Sequence, residues 1–135
     1  MTHPEQHCPV ETTLRIIGGK WKPLILYFLL QDTRRFSELR RLVPGVTQQM
    51  LTSQLRELEA DGIIRRQVYA QVPPKVEYSL TETGRSLQPL LDWMLEWGKN
   101  YLQEHGQELV AEPGCDGPAE KLATVRISPD HLKTR

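Results

Sequence analysis

The segment TQQMLTSQLRELEADGIIRR, residues 47–66, constrains the fold most, because a helical pattern in it runs directly into a strand pattern. Leu51, Leu55 and Leu58 fall within about 60° of arc on one side of a helix. Asp61-Gly62 is a helix stop signal, and the apolar pair after it begins a strand pattern. The segment therefore predicts a helix with one buried leucine stripe that ends immediately before a strand.

Glycine and proline signals divide the preceding residues into further helices. The first predicted helix carries Val10, Leu14 and Ile17 at helical spacing and ends at Gly18-Gly19. The second is predicted from about Trp21 to Leu30, with a proline that is tolerated only in its first turn.

A short third helix follows, with Ser37 as its predicted N-cap and Pro44-Gly45 as its end. Thr47 is the predicted N-cap of the fourth helix, which contains the leucine stripe. Because the connection between the third and fourth helices is short, the two together predict a helix-turn-helix arrangement.

Two strands are predicted after the fourth helix, in the segment IIRRQVYAQVPPKVEYSL, residues 63–80. In the second strand, Val76, Tyr78 and Leu80 alternate with polar residues, as in a strand with one buried face. Pro73-Pro74 cannot lie in a regular strand, so we expect a stiff loop there. The resulting hairpin is in the position of a wing beside the helix-turn-helix.

The last helix is predicted to be the longest, with Thr81 as its N-cap. Its apolar stripe is wider than one small domain can cover, which favours pairing with a second copy of the chain. From about residue 107 the sequence loses its regularity. We therefore predict a flexible arm at 1–7, one folded domain at 8–106 and a mobile tail at 107–135.

Charge along the chain is polarised, although the net charge is zero. Residues 33–66 contain seven arginines against four acids, a net +3, whereas residues 81–120 contain two bases against eight acids, a net −6. A basic centre of this kind steers a polyanion to one face of a protein.

The N-terminus lacks a basic stretch followed by an apolar one, and the longest apolar run, PLILYFLL, is too short to span a bilayer. These features predict a cytoplasmic protein without a membrane partner. The two cysteines, Cys8 and Cys115, are too few for a disulfide scaffold.

The face of the fourth helix opposite its leucines carries hydrogen-bonding side chains where exposed helices usually carry Lys and Glu. Glutamine matches adenine with two hydrogen bonds in a major groove, arginine matches guanine, and threonine offers a methyl to thymine. Recognition helices insert their N-terminal part into the groove. The predicted base-reading residues are therefore Gln48, Gln49, Thr52, Ser53 and Arg56. The alternative is an ordinary solvated helix face.

Further basic or polar residues surround this helix and the hairpin. As phosphate or wing contacts with double-stranded DNA we predict Lys20, Lys22, Arg34, Arg35, Thr47, Arg65, Arg66 and Lys75. For each of them the alternative is a residue of the ordinary protein surface.

Three separated motifs occur in the order CPVETTLRIIGGKW, RRFSELRRLVPGVTQQMLTSQLRELEADGII and VPPKVEYSLTETG. Together they closely resemble the HxlR-type winged helix-turn-helix transcriptional regulators, and the resemblance extends over about Cys8 to Leu102. The resemblance implies a bacterial DNA-binding regulator that binds palindromic operators as a homodimer, with its first and last helices at the interface. Together with the wide apolar stripe, it assigns to that interface Leu14, Leu90, Trp93, Met94, Trp97 and Tyr101.

The fold class is accordingly mainly α with a small β-hairpin, a winged helix-turn-helix domain with N- and C-terminal dimerisation helices. A two-fold dimer of this fold would place its two recognition helices about 34 Å apart, one turn of DNA.

Some members of this family sense quinones, aldehydes or oxidants through a cysteine just before the first helix, and Cys8 is at the matching position. A position near a helix N-terminus favours the reactive thiolate. The alternative is an ordinary half-buried thiol. A disulfide between Cys8 and Cys115 is a weakly supported alternative, because its connectivity cannot be deduced from the sequence. A loose metal cluster of His3, His7 and Cys8 is another weak alternative, because its spacing fits no standard zinc pattern.

We expect that the protein is not an enzyme and that it binds no metal or cofactor. The sequence contains no zincin motif, P-loop, GxSxG or dinucleotide fingerprint. Two other functions are left open. One is a winged-helix module whose outer helix face binds another protein, and the other is a regulator that responds to a non-redox small-molecule effector.

Overall fold

Nine elements make up residues 7–107, the part of the chain that the computed structural model describes. In chain order they are α1 (Pro9–Ile17), α2 (Trp21–Gln31), β1 (Arg34–Arg35), α3 (Phe36–Leu42), α4 (Gln48–Ala60), β2 (Ile64–Tyr69), β3 (Lys75–Leu80), α5 (Glu82–Arg85) and α6 (Gln88–Glu104). The mainly helical fold class is confirmed. The predictions for residues 1–6, for residues 108–135 and for Cys115 lie outside the described residues.

The chain divides into two compact units, residues 1–85 and residues 86–135. The hydrophobic core of the first unit is built on α2, whose Ile25 and Leu26 are fully buried. The stripe of α4 is buried as predicted, with Leu51 and Leu58 at 0% exposure and Leu55 at 2%. Because one side of α4 is anchored in this way, its opposite side is presented to solvent.

The start of α3 differs from the prediction that Ser37 is its N-cap. The N-cap is Arg35, whose backbone N–H donates to the Glu38 carboxylate at 2.8 Å. Glu38 therefore satisfies the start of the helix from inside its first turn, and Ser37 lies within the helix. The predicted cap of α4 is confirmed, since the Thr47 hydroxyl accepts from the Met50 N–H at 3.1 Å.

The sheet has three antiparallel strands in the order β1-β3-β2, so a third strand joins the predicted hairpin. In the pairing of β2 with β3, Arg66 lies opposite Tyr78, and Arg65 lies opposite Ser79. Residues directly opposite each other share a face of the sheet. Tyr78 and Leu80 are buried and Ser79 is only partly covered, so the predicted alternation is confirmed in the second half of β3, whereas Val76 is half-buried like its polar neighbours.

Thr81 caps a helix as predicted, but that helix is the short α5 and not the start of a long final helix. Its hydroxyl oxygen accepts from the Gly84 N–H at 3.0 Å. This helix ends at Arg85, and α6 begins at Gln88 with Pro89 as its second residue. Proline has no N–H to donate, and its ring would clash with the carbonyl of Arg85 in a continuous helix.

The second unit contains α6, which carries large apolar side chains that are substantially exposed. These are Leu90, Trp93, Met94, Trp97 and Tyr101, between 37% and 54% exposed. The rings of Trp97 and Tyr101 are stacked at 5.4 Å. Across residues 7–107, no helix has the length and apolar character needed to cross a membrane.

Asp92 is a buried carboxyl group in α6, and its Oδ1 has no hydrogen-bond partner among the described residues. Burial, and then the nearby charge of Glu96, raise the pKa of Asp92 above its ordinary value. The folded chain therefore holds this proton at pH values where the unfolded chain has lost it, so stability falls as pH rises through the raised pKa.

Asp92→Asn is accordingly expected to raise the thermal unfolding midpoint at pH 7, because the uncharged amide removes the cost of burying a carboxylate. The difference between the two unfolding midpoints should shrink toward zero below about pH 3, where Asp92 of the wild type is protonated in both the folded and the unfolded chain. Calorimetry at the two pH values measures this, and a variant that is less stable than the wild type at pH 7 would contradict it.

Candidate nucleic-acid interface

The exposed side of α4 brings together the five residues that the sequence predicts as base readers. Along one concave surface lie Gln48, Gln49, Thr52, Ser53 and Arg56, with Glu57 at its border. We call these five residues the polar surface of α4. Amide, hydroxyl and guanidinium groups are the groups that match base edges in a major groove.

Thr52 is the most constrained member of the polar surface of α4. Its hydroxyl donates to the Gln48 carbonyl at 2.8 Å, within the helix. The hydroxyl proton is thus already used, so the methyl group is the feature that Thr52 offers to a base. At the start of the same helix, the Met50 N–H is already capped by the Thr47 hydroxyl, and the positive end of the helix dipole favours an approaching anion.

A cleft lies between α4 and the sheet, with Gln48, Thr52 and Arg56 on its helical side. Arg66 lines the sheet side of this cleft, on the same face as Tyr78. Arg65 is on the opposite face of the sheet, because adjacent residues of a strand alternate between faces. The two wing arginines are therefore separated, and Arg66 is the one beside the polar surface of α4.

Lys75 lies on the same sheet face as Arg65 and already has partners there. Its ammonium is 3.3 Å from the Glu77 carboxylate and 5.0 Å from the centre of the Tyr69 ring. A phosphate would have to compete with both groups for Lys75. Lys75 is therefore less available for the predicted wing contact than the sequence alone indicates.

Lys22 is wrong as a predicted phosphate contact, because the residue is only 6% exposed. Its ammonium pairs with the Glu57 carboxylate on α4. Lys20, the other lysine predicted near this end of α2, is exposed and lies over the Trp21 ring, 4.8 Å from the ring centre. Of the two lysines, only Lys20 can reach a phosphate.

Arg34 is held by its own chain at the end of α2. Its guanidinium donates to the Gln31 side chain at 2.8 Å and to the Phe28 carbonyl at 3.4 Å. Its neighbour Arg35 is exposed. The two arginines that the sequence predicts together therefore differ, since Arg34 is half-buried and held by the end of α2 whereas Arg35 is exposed.

Arg40 and Arg41 were counted in the basic segment but not predicted as contacts. Both are exposed at the end of α3, and they share a surface with Ser37 and Gln48. They therefore lie beside the N-terminal end of α4. The signal available in the sequence was their place immediately before the Pro44-Gly45 turn that leads into α4.

Cys8 is an exposed free thiol at the N-cap of α1, which corrects the alternative of a half-buried thiol. Its carbonyl accepts from the Thr12 N–H at 2.8 Å, whereas its side chain makes no capping hydrogen bond. The thiol borders a shallow surface with His7, Glu11 and Arg15. It is therefore accessible to a reagent in solution.

A family model for HxlR-like helix-turn-helix proteins matches residues 16–106. The uncharacterized HTH-type transcriptional regulator YdeP of Bacillus subtilis (strain 168) is 64% identical over 94 residues, which are 70% of this chain and 73% of YdeP. The solved structure of the redox regulator HypR in its oxidized form is 61% identical with a TM-score of 0.67, covering 69% of this chain and 96% of that one. The reduced form of the transcriptional regulator YodB from B. subtilis is 36% identical with a TM-score of 0.63, covering 71% and 97%.

Proposed function

The chain belongs to the HxlR-like helix-turn-helix family of transcriptional regulators, and we propose that it binds a palindromic operator as a homodimer, with α4 in the major groove. The observation that carries the proposal is the polar surface of α4, which faces solvent while the leucine stripe behind it is buried. A regulator of this kind acts where the chromosome is, so we also propose a cytoplasmic location.

The side chains on this surface divide into two reading chemistries. Gln48 and Gln49 in the first turn suit adenine, which presents a donor and an acceptor to an amide. Arg56, two turns later, suits guanine, which presents two acceptors to a guanidinium. Because these residues lie along one side of the helix, one subunit would read several consecutive base pairs.

Basic side chains around α4 would fix the helix against the phosphates. Exposed basic residues that share a concave surface with residues of α4 are Arg40, Arg41 and Arg66. Phosphate contacts set orientation and affinity but carry no sequence information directly. Their number determines how steeply binding weakens with salt.

Arg66→Ala is expected to lower the slope of log affinity against log salt by about one unit per subunit, since each lost phosphate contact removes roughly 0.9. Filter binding from low to moderate salt measures the slope. Arg15→Ala is the matched control, because Arg15 lies on α1 and pairs with Asp61. Equal slopes for wild type and Arg66→Ala would exclude the phosphate contact.

The dimer is supported by apolar surface on two helices. Val10 and Leu14 of α1 are 68% and 63% exposed, and α6 exposes Trp93, Met94 and Trp97. Large apolar side chains exposed on a helix mark a candidate interaction site. We propose that a second copy covers them, with Leu14, Leu90, Trp93, Met94, Trp97 and Tyr101 at the interface.

The experiment that tests the proposed function is titration of promoter DNA from the regulator's own or a neighbouring gene, with the mass of each complex measured by sedimentation. We expect a specific complex with two chains per operator. A protein that binds no DNA specifically but captures another protein through α4 would instead establish the protein-interaction module.

A redox signal is the second element of the proposal, since the relative HypR is named a redox regulator and Cys8 is exposed. Diamide takes two electrons and two protons from two thiols and leaves a disulfide, so Cys8 would be joined to Cys115 or to Cys8 of the partner subunit. Such a bond, or alkylation of Cys8 beside α1, would alter packing at the proposed dimer interface. Diamide is accordingly expected to change operator affinity of the wild type by about tenfold, within the usual range of coupling between two sites. Cys8→Ser should abolish the change.

Gel shift with and without diamide measures this effect. An unchanged wild type would remove the redox signal and favour a non-redox small-molecule effector. An equal change in Cys8→Ser would move the response to another group.

A further inference from the structure

Lys22 is a buried lysine that pairs with an acid on the polar side of α4. Its side chain is 8% exposed, and its Nζ lies 2.5 Å from Oε1 of Glu57, whose side chain is 54% exposed. A buried ammonium is costly unless it is paired and hydrogen-bonded. The lysine therefore dictates where the Glu57 carboxylate lies, and not the reverse.

The position of Lys22 in α2 makes this pairing stronger than an ordinary surface contact. Lys22 is the second residue of α2, at the end of the helix where a positive charge is unfavourable. The first turn of α2 contains no acidic residue. The negative charge that compensates Lys22 comes from Glu57 on α4, so the ion pair joins α2, on which the core is built, to α4.

Glu57 would otherwise oppose DNA binding at this place. It borders the polar surface of α4, next to Ser53 and Arg56. A free carboxylate there would repel phosphates or accept from cytosine. The Lys22 ammonium compensates the charge of this carboxylate, although the Glu57 side chain stays 54% exposed.

We propose that Lys22 is a positioning residue for DNA reading, which refines the orientation of α4 through Glu57 while touching no nucleotide. The inference rests on the proposed function. The buried leucine stripe fixes which side of α4 faces the core, and the ion pair adds a second attachment, between α4 and the start of α2. The pair thereby decides at which angle Gln49 and Arg56 meet the base edges.

Three variants and one control test the proposal, Lys22→Met, Glu57→Gln, the double variant and Asp61→Asn. Asp61 is the matched control, because it is at the C-terminal end of the same helix and also forms an ion pair. Its Oδ1 lies 3.4 Å from a guanidinium nitrogen of Arg15. Arg15 is 64% exposed, so this pair should contribute little. For each protein, affinity for operator and for random duplex DNA is measured, together with the unfolding midpoint.

We expect Lys22→Met and Glu57→Gln to lower the ratio of operator to random-duplex affinity by about tenfold, comparable to one mismatched base pair. Asp61→Asn should leave this ratio unchanged. Glu57→Gln should also lower the unfolding midpoint, because the ammonium stays buried without its carboxylate. The double variant should recover the midpoint but not the ratio, since the uncharged pair no longer sets the angle of α4.

A double variant that recovers the ratio together with the midpoint would overturn the positioning role and leave a purely stabilising pair. So would a Lys22→Met protein with the ratio of the wild type. If the wild type itself shows no operator preference, the proposed function fails. The midpoints then still test the pair, which is refuted if Glu57→Gln and Asp61→Asn unfold alike.

Discussion

Replacing Gln49 and Arg56 together with alanine is expected to lower operator affinity by about 1,000-fold or more. Each side chain would make a bidentate contact that discriminates a base pair by about 1–3 kcal/mol, and a dimer uses each contact twice. Four such contacts amount to at least about 4 kcal/mol, or roughly three powers of ten. Affinity for random duplex DNA should fall far less, because it depends on phosphate contacts.

A matched control for this variant is Gln54→Ala combined with Arg15→Ala, which removes the same two residue types. Gln54 is half-buried on α4 outside the polar surface, and Arg15 is on α1. The control should keep its operator affinity within a few-fold of the wild type. If the two double variants bound the operator equally well, the base-reading assignment would be wrong.

Gly84→Ala is expected to destabilise the first unit by about 3 kcal/mol, at the upper end of the cost of overpacking. A Cβ at this position would lie 2.2 Å from the Ile63 carbonyl oxygen, which belongs to the backbone and cannot rotate away. The same oxygen accepts from the Thr81 N–H at 3.0 Å. The added methyl group would thus separate α5 and the end of β3 from Ile63, the residue that lies between α4 and β2.

Thermal unfolding measures this loss, which should lower the midpoint by more than about 10 °C for a domain of this size. Gly98→Ala is the control, because a Cβ there would meet no atom within 4 Å among residues 7–107 beyond its chain neighbours and the backbone of its own helix. In the interior of α6 that replacement should stabilise by roughly 0.5–1 kcal/mol. Similar midpoints for Gly84→Ala and the wild type would show that the junction tolerates a side chain.

The elements predicted well from the sequence are those with local signals. The leucine spacing of α4, its Thr47 cap and the alternation of β3 each act within a few residues of the feature that they specify. The break at Pro89 was also a local signal, and a proline in the middle of a predicted helix should have divided it.

Features that depend on distant partners could not be predicted in this way. The two-residue strand β1 exists only because Arg34 and Arg35 pair with Tyr78 and Glu77, more than forty residues later. The burial of Lys22 likewise depends on an acid on another helix. From the sequence, Lys22 looks like the nearby Lys20, and only the contact with Glu57 distinguishes the two lysines. The phosphate contact predicted for Lys22 was wrong for this reason.

The measurement that tests the central claim most directly is the base preference of the wild type and of Arg56→Ala on randomised duplex DNA. We expect the wild type to select two inverted half-sites whose centres lie about one helical turn apart. Arg56→Ala should lose its preference for guanine at one position in each half-site and keep the others. Selection of no common sequence by the wild type, or an unchanged profile in Arg56→Ala, would contradict the assignment of α4 as the reading helix.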